Sequence, residues 1–309
     1  MSSQTSHTLA GKTQHYRDVL TENWFAYLLI LPVLLFLVLL MWLPFVQGIF
    51  MSLHNWPFGG DPSWVGLGNY EYLLSWEPFI TSLKATLIFS LTTLFQLVIA
   101  VAAALAVREI RRGKSFVTGA FLLSYTLPPL VTGTIWAYML QPDLGPVFGY
   151  LTQWDLLEET IYWGSHGDSA LAVILFVTTW TFWPFMFLII SASLESIPEE
   201  LYESAQMYGA NRLQTFLRVT LPQLKSAILI AVSIRIIWNM TKISQVLQLT
   251  NGGPGYETSI LAVLLYRFSY EQGQMGISYA VGVVLLMLTI GFVFVFIREF
   301  ERASGGEAA

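Results

Sequence analysis

The sequence predicts an all-α integral membrane protein with six membrane-spanning helices. Hydrophobic residues make up 55% and charged residues only 11% of the 309 positions, whereas soluble domains carry roughly 25% charged residues. Several apolar stretches reach about 20 residues, the length at which a helix crosses a hydrocarbon layer about 30 Å thick. They lack the strict alternation of a membrane β-barrel, and a helix satisfies its own backbone hydrogen bonds in lipid.

The six predicted spans follow one another along residues 24–298, between a polar tail at 1–23 and a second tail at 299–309. The spans run approximately from Trp24 to Phe50, Ile80 to Val107, Phe116 to Leu140, Ala170 to Leu194, Gln223 to Leu249 and Met275 to Ile297. The first tail lacks the short apolar core of a cleaved signal peptide. Prolines inside or near the spans are expected to kink the helices. They are Pro32, Pro44, Pro128, Pro129 and Pro184.

The positions of Lys and Arg predict that both termini are cytoplasmic in a cell membrane. Eleven of these residues fall in segments on one side of the predicted spans, and the three loops on the other side hold only Arg267. The eleven are Lys12, Arg17, Arg108, Arg111, Arg112, Lys114, Arg212, Arg218, Lys225, Arg298 and Arg302. Lys and Arg concentrate on the cytoplasmic side of membrane proteins. The outer loops are acidic, which indicates either a solvated surface or a basic partner.

Composition also excludes several kinds of chemistry. The chain has no cysteine and four scattered histidines, so neither a cysteine-based site nor a histidine metal motif is predicted. The net charge of −5 argues against a nucleic-acid binder. The tripeptide Gly113 to Ser115 lacks the earlier glycine of a phosphate-binding loop, because Arg108 stands there. The spans carry no paired carboxylates or nucleophile constellation. We therefore expect a non-enzymatic transport component without a bound cofactor.

The segment between spans four and five, residues 195–222, is polar and is called here the interspan segment. Ser196 and Glu199 have the spacing of a capping box, which predicts a helix start there. Leu201, Ala205 and Tyr208 fall on one helical face, and a glycine at 209 permits a sharp turn. A second short helix is then expected, with one side lined by Leu213, Phe216, Leu217 and Thr220. Such short helices need something to pack against.

The residues alone leave two interpretations of this segment open: a connector at the membrane surface, or a docking element for a cytosolic protein. A family resemblance favours the second. Seven residues with the correct gaps resemble the signature of ABC importer permeases, E-A-A, three residues, G, nine residues, I, one residue, L-P. They are Glu203, Ser204, Ala205, Gly209, Val219, Leu221 and Pro222, and Ser204 and Val219 are departures from the pattern.

The resemblance implies a type I importer permease whose interspan segment is the coupling helix. It implies that Glu203 makes a charged contact with a cytosolic ATPase dimer, that Gly209 allows the bend, and that Leu221 and Pro222 fix the junction with span five. ATP and Mg²⁺ would belong to those ATPases. The resemblance also implies an extracytoplasmic solute-binding protein as a partner.

Two outer-loop motifs resemble the carbohydrate-uptake type of this family, which includes permeases for maltose and for glycerol phosphate. They are "NGGPG", with Gly252, Gly253 and Pro254 in an outer turn, and "WVGLGNYEYLL" after span one. In such importers two unlike permeases pair in the membrane. The resemblance therefore implies a heterodimer with a second permease of the other maltose-permease type.

Span five carries polar residues in an apolar run. Arg235, Asn239 and Lys242 project within about 60° of one another at 100° per residue, with Trp238 beside them. Charges at this depth are costly unless paired or wet, so these side chains are expected to face the protein interior. Three interpretations of the two charged side chains stay open. They pair with other groups inside the protein, they extend to the membrane edge, or they line a solute pathway.

The resemblance extends this pathway to span four, where the aromatic and proline pattern of Trp180, Trp183, Pro184 and Phe185 matches. It implies a route lined by Thr181, Phe182, Phe185, Arg235, Trp238, Asn239 and Lys242. Many relatives carry Asp near Ser244, and the compared site has Asn in place of Lys242. A neutral sugar is the favoured solute, and a sugar acid or phosphate ester is the alternative.

Two rival functions differ in kind from an importer permease. A secondary carrier driven by protons or sodium would place coupling acids at the middle of the membrane, but the acidic residues here lie outside the spans or near their ends. A purely structural membrane component would tolerate changes of Asn239 or Lys242 without loss of transport.

Overall fold

The structure is a computed structural model that describes residues 23–305, and it divides into two units at Met51. The described part of the first unit is an apolar helical rod over residues 24–51. It consists of α1 (Trp24–Leu37), a π-helical turn (Val38–Trp42) and α2 (Leu43–Met51). The rod has 28 residues, none of them buried. An apolar surface of this length is of the kind that lipid or another membrane protein covers.

The second unit begins with a short outer segment and span two. The segment holds β1 (His54–Asn55) paired antiparallel with β2 (Ser63–Trp64), followed by α3 (Gly68–Ser75). Asn69 fastens it, because its amide donates to the carbonyls of Ser52 and His54 at 2.8 and 2.9 Å. Span two is α4 (Glu77–Ser90) continued by α5 (Thr92–Arg108).

Span three is broken, which corrects the expectation of one kinked helix from Phe116 to Leu140. It consists of α6 (Lys114–Thr126) and α7 (Pro129–Met139), whose axes differ by 90°. Leu127 and Pro128 between them have extended ψ angles of 136° and 135°. Each precedes a proline, and the proline ring excludes the helical conformation from the residue before it. Two successive prolines therefore interrupt the helix where one would kink it.

The remaining helices complete the bundle. They are α8 (Pro146–Gln153), a 3₁₀ turn (Trp163–Ser165), α9 (Gly167–Glu195), α10 (Glu199–Met207), α11 (Arg212–Thr215), a π-helical turn (Phe216–Thr220), α12 (Leu221–Met240), α13 (Ser244–Leu249), α14 (Leu261–Tyr266), a π-helical turn (Arg267–Glu271) and α15 (Met275–Gly305). Spans four and six are α9 and α15. The predicted second tail at 299–309 begins inside α15, since this helix continues to Gly305. The predicted first tail, 1–23, lies outside the described residues except for Asn23.

Span five ends earlier than the sequence pattern suggests. The predicted span reaches Leu249, but α12 ends at Met240 and the chain restarts as α13 at Ser244. The two helices have different neighbours, because α12 packs on α9 and α15, whereas α13 packs on the half-helix α7. Apolarity continues through both helices, so the hydrophobic pattern could not locate the break between them.

The described residues of the second unit form three hydrophobic clusters, and one of them lies along the extensive α5–α9 contact. Ala100 and Ala104 on α5 are buried in a cluster with Ile190 and Leu194 of α9. Small side chains let two helix backbones approach closely, and this packing is what holds helices together in lipid. The close contact fixes span two against span four between the buried polar side chains near Gln96 and the helix ends at Arg108 and Glu195.

Candidate functional site

The interspan segment folds as two short helices around a left-handed turn. α10 ends at Met207, and Gly209 has a φ of +76°. The amide of Gly209 donates to the carbonyl of Gln206 at 2.9 Å, and the amide of Ala210 donates to that of Ala205 at 3.0 Å. This pair of bonds is the Schellman motif, in which glycine is favoured because it lacks a Cβ. The predicted turn at Gly209 is confirmed.

The first helix of this segment begins at Glu199, within the predicted region, but its cap differs from the predicted one. The expected capping box at Ser196 and Glu199 is wrong, because α10 starts after Pro198 and the Ser196 hydroxyl donates to the Ser193 carbonyl. A reciprocal capping box starts the second helix instead. The Gln214 amide donates to the Asn211 side chain and the Asn211 amide donates to the Gln214 side chain, both at 2.9 Å. The spacing of Asn211 and Gln214 was readable in the sequence.

The inward face of α10 is not the face that carries Leu201, Ala205 and Tyr208. Tyr202 is the buried residue of this helix, and its hydroxyl accepts a hydrogen bond from the buried Thr220 at 3.3 Å. Leu201 is 40% exposed, and Tyr208 is 89% exposed. The tip of the segment therefore presents large apolar side chains to its surroundings. They are Met207, Tyr208, Leu213 and Leu217.

Span two anchors the segment through its last residue. The Arg108 guanidinium lies 4.0 Å above the Tyr202 ring and 3.2 Å from the Glu199 carboxylate. Lys114 at the start of α6 pairs with Glu195. A cavity of about 780 Å³ opens between the segment and the end of span two, and Arg111 and other residues line it. The segment is thus braced by spans two and three, although it follows span four in the chain.

The predicted coupling residues lie on the outer surface of this segment. Glu203, Ser204, Gly209, Leu221 and Pro222 are exposed, and Ala205 is half-buried. Pro222 stands in the first turn of α12, as expected for a residue without an amide donor. Their position matches a docking surface, and their contact with an ATPase stays a prediction.

A buried polar cluster joins spans two, four and five at the middle of the bundle. Arg235 is completely buried, and its Nε donates to the side-chain oxygen of Gln96 at 2.9 Å while its second terminal nitrogen donates to the side-chain oxygen of Asn239 at 2.5 Å. The Asn239 amide donates to the hydroxyls of Thr92 and Thr93, each at 3.0 Å. Gln96 in turn donates to the Thr178 carbonyl at 3.4 Å. Sequence patterns did not point to Gln96, Thr92 or Thr93.

The ring of Phe182 contacts both cations of the predicted route. Its centroid is 4.5 Å from the Arg235 guanidinium and 4.4 Å from the Lys242 ammonium. The two charges therefore lie within about 9 Å of each other, where they repel by about 2 kcal/mol at an effective dielectric constant of about 20. Contact with the face of an aromatic ring offsets part of this cost.

The predicted pathway residues divide into buried and accessible ones. Thr181, Phe182, Arg235 and Asn239 are buried, and the Thr181 hydroxyl donates to the Val177 carbonyl at 2.7 Å. Trp238 is 40% exposed, and its ring lies 4.8 Å from that of the partly exposed Phe185. Lys242 is also partly exposed. Contacts join Phe182, Phe185, Arg235, Trp238, Asn239 and Lys242, whereas the Thr181 hydroxyl bonds within its own helix. The contact of these residues with a solute stays a prediction.

The outer turn is tightly built. Gly252 has a φ of +80° and is buried against Ser259, where an added Cβ would lie 3.2 Å from the Ser259 Cβ. The Thr258 hydroxyl donates to the Gly253 carbonyl at 2.6 Å. The predicted turn over Gly252, Gly253 and Pro254 is therefore present, and it leads into the buried start of α14. Over the described residues no group of three or more metal-ligating side chains occurs.

Comparisons with known proteins match this architecture over most of the chain. The family model described as "Binding-protein-dependent transport system inner membrane component" matches residues 96–301. The trehalose/maltose transport system permease protein MalF of Thermococcus litoralis is 29% identical over 91% of this chain and 96% of its own. The sn-glycerol-3-phosphate transport system permease protein UgpA of Rhizobium meliloti is 28% identical over 93% of this chain and 98% of its own.

A solved structure has the same fold. It is the crystal structure of a bacterial ABC transporter involved in the import of the acidic polysaccharide alginate. The matching chain aligns with a TM-score of 0.81 and 23% sequence identity, and the alignment covers 94% of this chain and 99% of the matching chain. The fold is the type I importer permease fold, and the chain is a multi-pass membrane protein. Together with the match over residues 96–301, this means that the chain belongs to the family of binding-protein-dependent transport system inner membrane components.

Proposed function

We propose that this chain is one of two unlike permeases that pair in an ATP-driven carbohydrate importer. In this proposal a cytosolic ATPase dimer binds the interspan segment and drives the bundle between inward-open and outward-open states. A solute-binding protein delivers the sugar to the outer loops. ATP and Mg²⁺ belong to the ATPases, and this chain has no catalytic residue.

The observation that carries the proposal is the exposed apolar tip of the interspan segment. Met207 and Tyr208 are each 89% exposed at the end of a helix that Tyr202 and Arg108 fix to the bundle. Large apolar side chains held on a braced element are typical of a protein interface. Glu203 lies on the same helix and is exposed, which supports a charged contact with the ATPase.

The brace supports transmission of force as well as docking. Arg108 ends span two and contacts α10, so a push on α10 acts on span two as well as on span four, from which the segment continues. Lys114 at the start of span three pairs with Glu195 at the end of span four, which links span three to the same end of the bundle. A flexible connector would move under the same force and would transmit less of it to the spans. The orientation with both termini in the cytoplasm follows from the excess of Lys and Arg on that side and places this segment within reach of cytosolic ATPases.

The names of the relatives support a carbohydrate as solute. The trehalose/maltose permease and the glycerol-phosphate permease both align over more than nine tenths of this chain. The aromatic rings of Phe182, Phe185 and Trp238 suit the apolar faces of sugar rings. The fully apolar surface of the first unit supports a second permease as its neighbour, in addition to lipid.

An ion-coupled carrier that acts alone is the alternative function. Such a carrier needs a titratable acid at mid-depth, and in the described part of the spans the acidic side chains lie in loops or near helix ends. The central hydrogen-bond cluster instead contains only amides, hydroxyls and a guanidinium. This composition favours an external energy source.

The test is whether a charge reversal on α10 separates the permease from its ATPase. Glu203→Lys should abolish co-purification of the ATPase and sugar-stimulated ATP hydrolysis, whereas Glu203→Gln should weaken both. The matched control Glu158→Lys makes the same change at an exposed outer position and should leave ATPase co-purification unchanged. The amount of permease in the membrane should be equal in all variants. Normal ATPase binding by Glu203→Lys would contradict the proposal.

A further inference from the structure

The two cations at the middle of the bundle lack an acidic partner among the described side chains. The ion pairs found over residues 23–300 join Arg108 to Glu199, Lys114 to Glu195 and Arg267 to Glu271, all near helix ends. None involves Arg235 or Lys242. Arg235 is completely buried and Lys242 is partly exposed. Removing such charges from water without a counter-ion is costly, because their desolvation is not repaid by an opposite charge.

Arg235 is fixed by neutral groups and is not available to a solute. Its Nε is bound to Gln96 and one terminal nitrogen to Asn239, and the other terminal nitrogen is buried without a hydrogen-bond partner. The guanidinium therefore acts as a permanent charge beside the Phe182 ring. It raises the electrostatic potential around that ring, and it cannot move without breaking two hydrogen bonds.

Lys242 has its ammonium near the same Phe182 ring, where the potential from Arg235 is positive. Its side chain is partly exposed, its ammonium lies 4.4 Å from the Phe182 centroid, and it forms no hydrogen bond or ion pair with another described side chain. It stands at the break between α12 and α13, where the chain leaves the helical path. An ammonium has three donors, so the donors of Lys242 point to a ligand that enters from outside the chain.

We propose that Lys242 is a specificity-determining residue that makes the route prefer anionic solutes, namely sugars bearing a carboxylate or a phosphate. The inference rests on the proposed importer function and replaces the neutral sugar favoured from the sequence. The solute anion pairs with the Lys242 ammonium, and Arg235 adds to the attraction through Phe182. The rings of Trp238 and Phe185, 4.8 Å apart, then contact the apolar face of the sugar.

The absence of cysteine from the chain allows a direct test. A single cysteine is introduced by Trp238→Cys, at a position 40% exposed within the cluster, in the complete importer purified with its ATPases and partner permease. The rates at which this cysteine reacts with an anionic and with a cationic methanethiosulfonate reagent are measured during ATP turnover. Each rate is divided by the rate of the same reagent at a reference cysteine on an outer loop, Ser165→Cys. We expect the anionic reagent to be favoured by about tenfold, as a nearby unpaired charge would produce.

The charge of Lys242 is then varied in the same background. Lys242→Asn should bring the ratio close to that of the reference site, and Lys242→Arg should keep it. D-glucuronate should slow the labelling of the cysteine at lower concentration than D-glucose, or glycerol 3-phosphate at lower concentration than glycerol. The proposal is overturned by equal rates for the two reagents, by a ratio that Lys242→Asn leaves unchanged, by no labelling at all, or by no greater protection from either anion. Any of these results leaves the importer function standing as long as Glu203→Lys still releases the ATPase.

Discussion

The guanidinium carbon of Arg108 lies 4.0 Å from the centroid of the Tyr202 ring, so the last residue of span two holds the first helix of the interspan segment. The same guanidinium is 3.2 Å from Glu199, the first residue of that helix. Span two thus contacts the interspan segment, which follows span four in the chain and is proposed to receive the ATPase. The contact explains how a short helix, too short to be stable alone, keeps one orientation.

We predict that removing this contact loosens α10 selectively. Arg108→Gln loses a cation–π interaction and an exposed ion pair, each worth up to about 1 kcal/mol, so backbone amides of Glu199–Met207 should exchange hydrogen about fivefold faster. The control Lys114→Gln removes a pair whose side chains are 45% and 61% exposed and should change these rates less than about twofold. Equal effects of the two variants would show that Arg108 is not the anchor.

A second prediction concerns the buried contact between Gln96 and Arg235. Gln96→Leu leaves the Arg235 Nε unpaired in an apolar interior, which should cost about 2 kcal/mol of stability. The double variant Gln96→Leu, Arg235→Met should be more stable than the sum of the single effects predicts, because the unpaired charge is gone. Thermal unfolding of the purified permease measures both quantities. Gln248→Leu is the control, since it removes only an exposed hydrogen bond to Thr134. Additive losses in the double variant would contradict this account of the cluster.

The turn at Gly209 gives a third prediction, which distinguishes the effect of backbone conformation from the effect of side-chain size. An added Cβ meets no atom within 4 Å, but the φ of +76° disfavours side chains. Gly209→Val should therefore cost about 1–2 kcal/mol and lower uptake by about tenfold, whereas Gly209→Asn should stay near the original rate because Asn tolerates this conformation. Uptake into proteoliposomes of the complete importer measures the difference. Similar rates for both variants would rule out a requirement for this turn.

A fourth prediction uses a pair of glycines in helices. At Gly276 an added Cβ would lie 1.9 Å from the His54 carbonyl oxygen, whereas at Gly119 it meets nothing within 4 Å. Gly276→Ala forces the outer segment and α15 apart and should destabilise the permease by about 2 kcal/mol or more. Gly119→Ala should be neutral or stabilising, because Ala favours helix by up to about 1 kcal/mol. Melting temperatures of the two variants test the contrast.

The sequence predicted the spans well because membrane helices follow from apolar length alone. It did not predict the breaks after Thr126 and after Met240. At the first, the pattern stayed apolar and two successive prolines were interpreted as a kink. At the second, the hydrophobic run continued into α13, and the packing of α13 on α7 is a tertiary contact that no local pattern contains.

The residues of the candidate sites were predicted less completely than the spans. The glycine turn at 209 followed from residue chemistry, since a left-handed conformation needs glycine. The sequence did not show which face of α10 is buried, because the pattern of a short helix allows several faces and the partner of Tyr202 is Arg108, about 90 positions away. Gln96, Thr92 and Thr93 were missed for the same reason, as their role depends on Arg235 and Asn239 in another span.

The most direct test of the central claim is a cross-link from the tip of the interspan segment. Tyr208→Cys places the only thiol of the chain at a position 89% exposed, and a short bifunctional reagent is applied to the assembled importer in membranes. The account predicts one dominant product, between the permease and the cytosolic ATPase, with a yield that changes when ATP is bound. Ser165→Cys, on the outer loop, should give no such product. A cysteine at 208 that reacts only within its own chain, or that never reaches the ATPase, would contradict the claim that this segment is the coupling element.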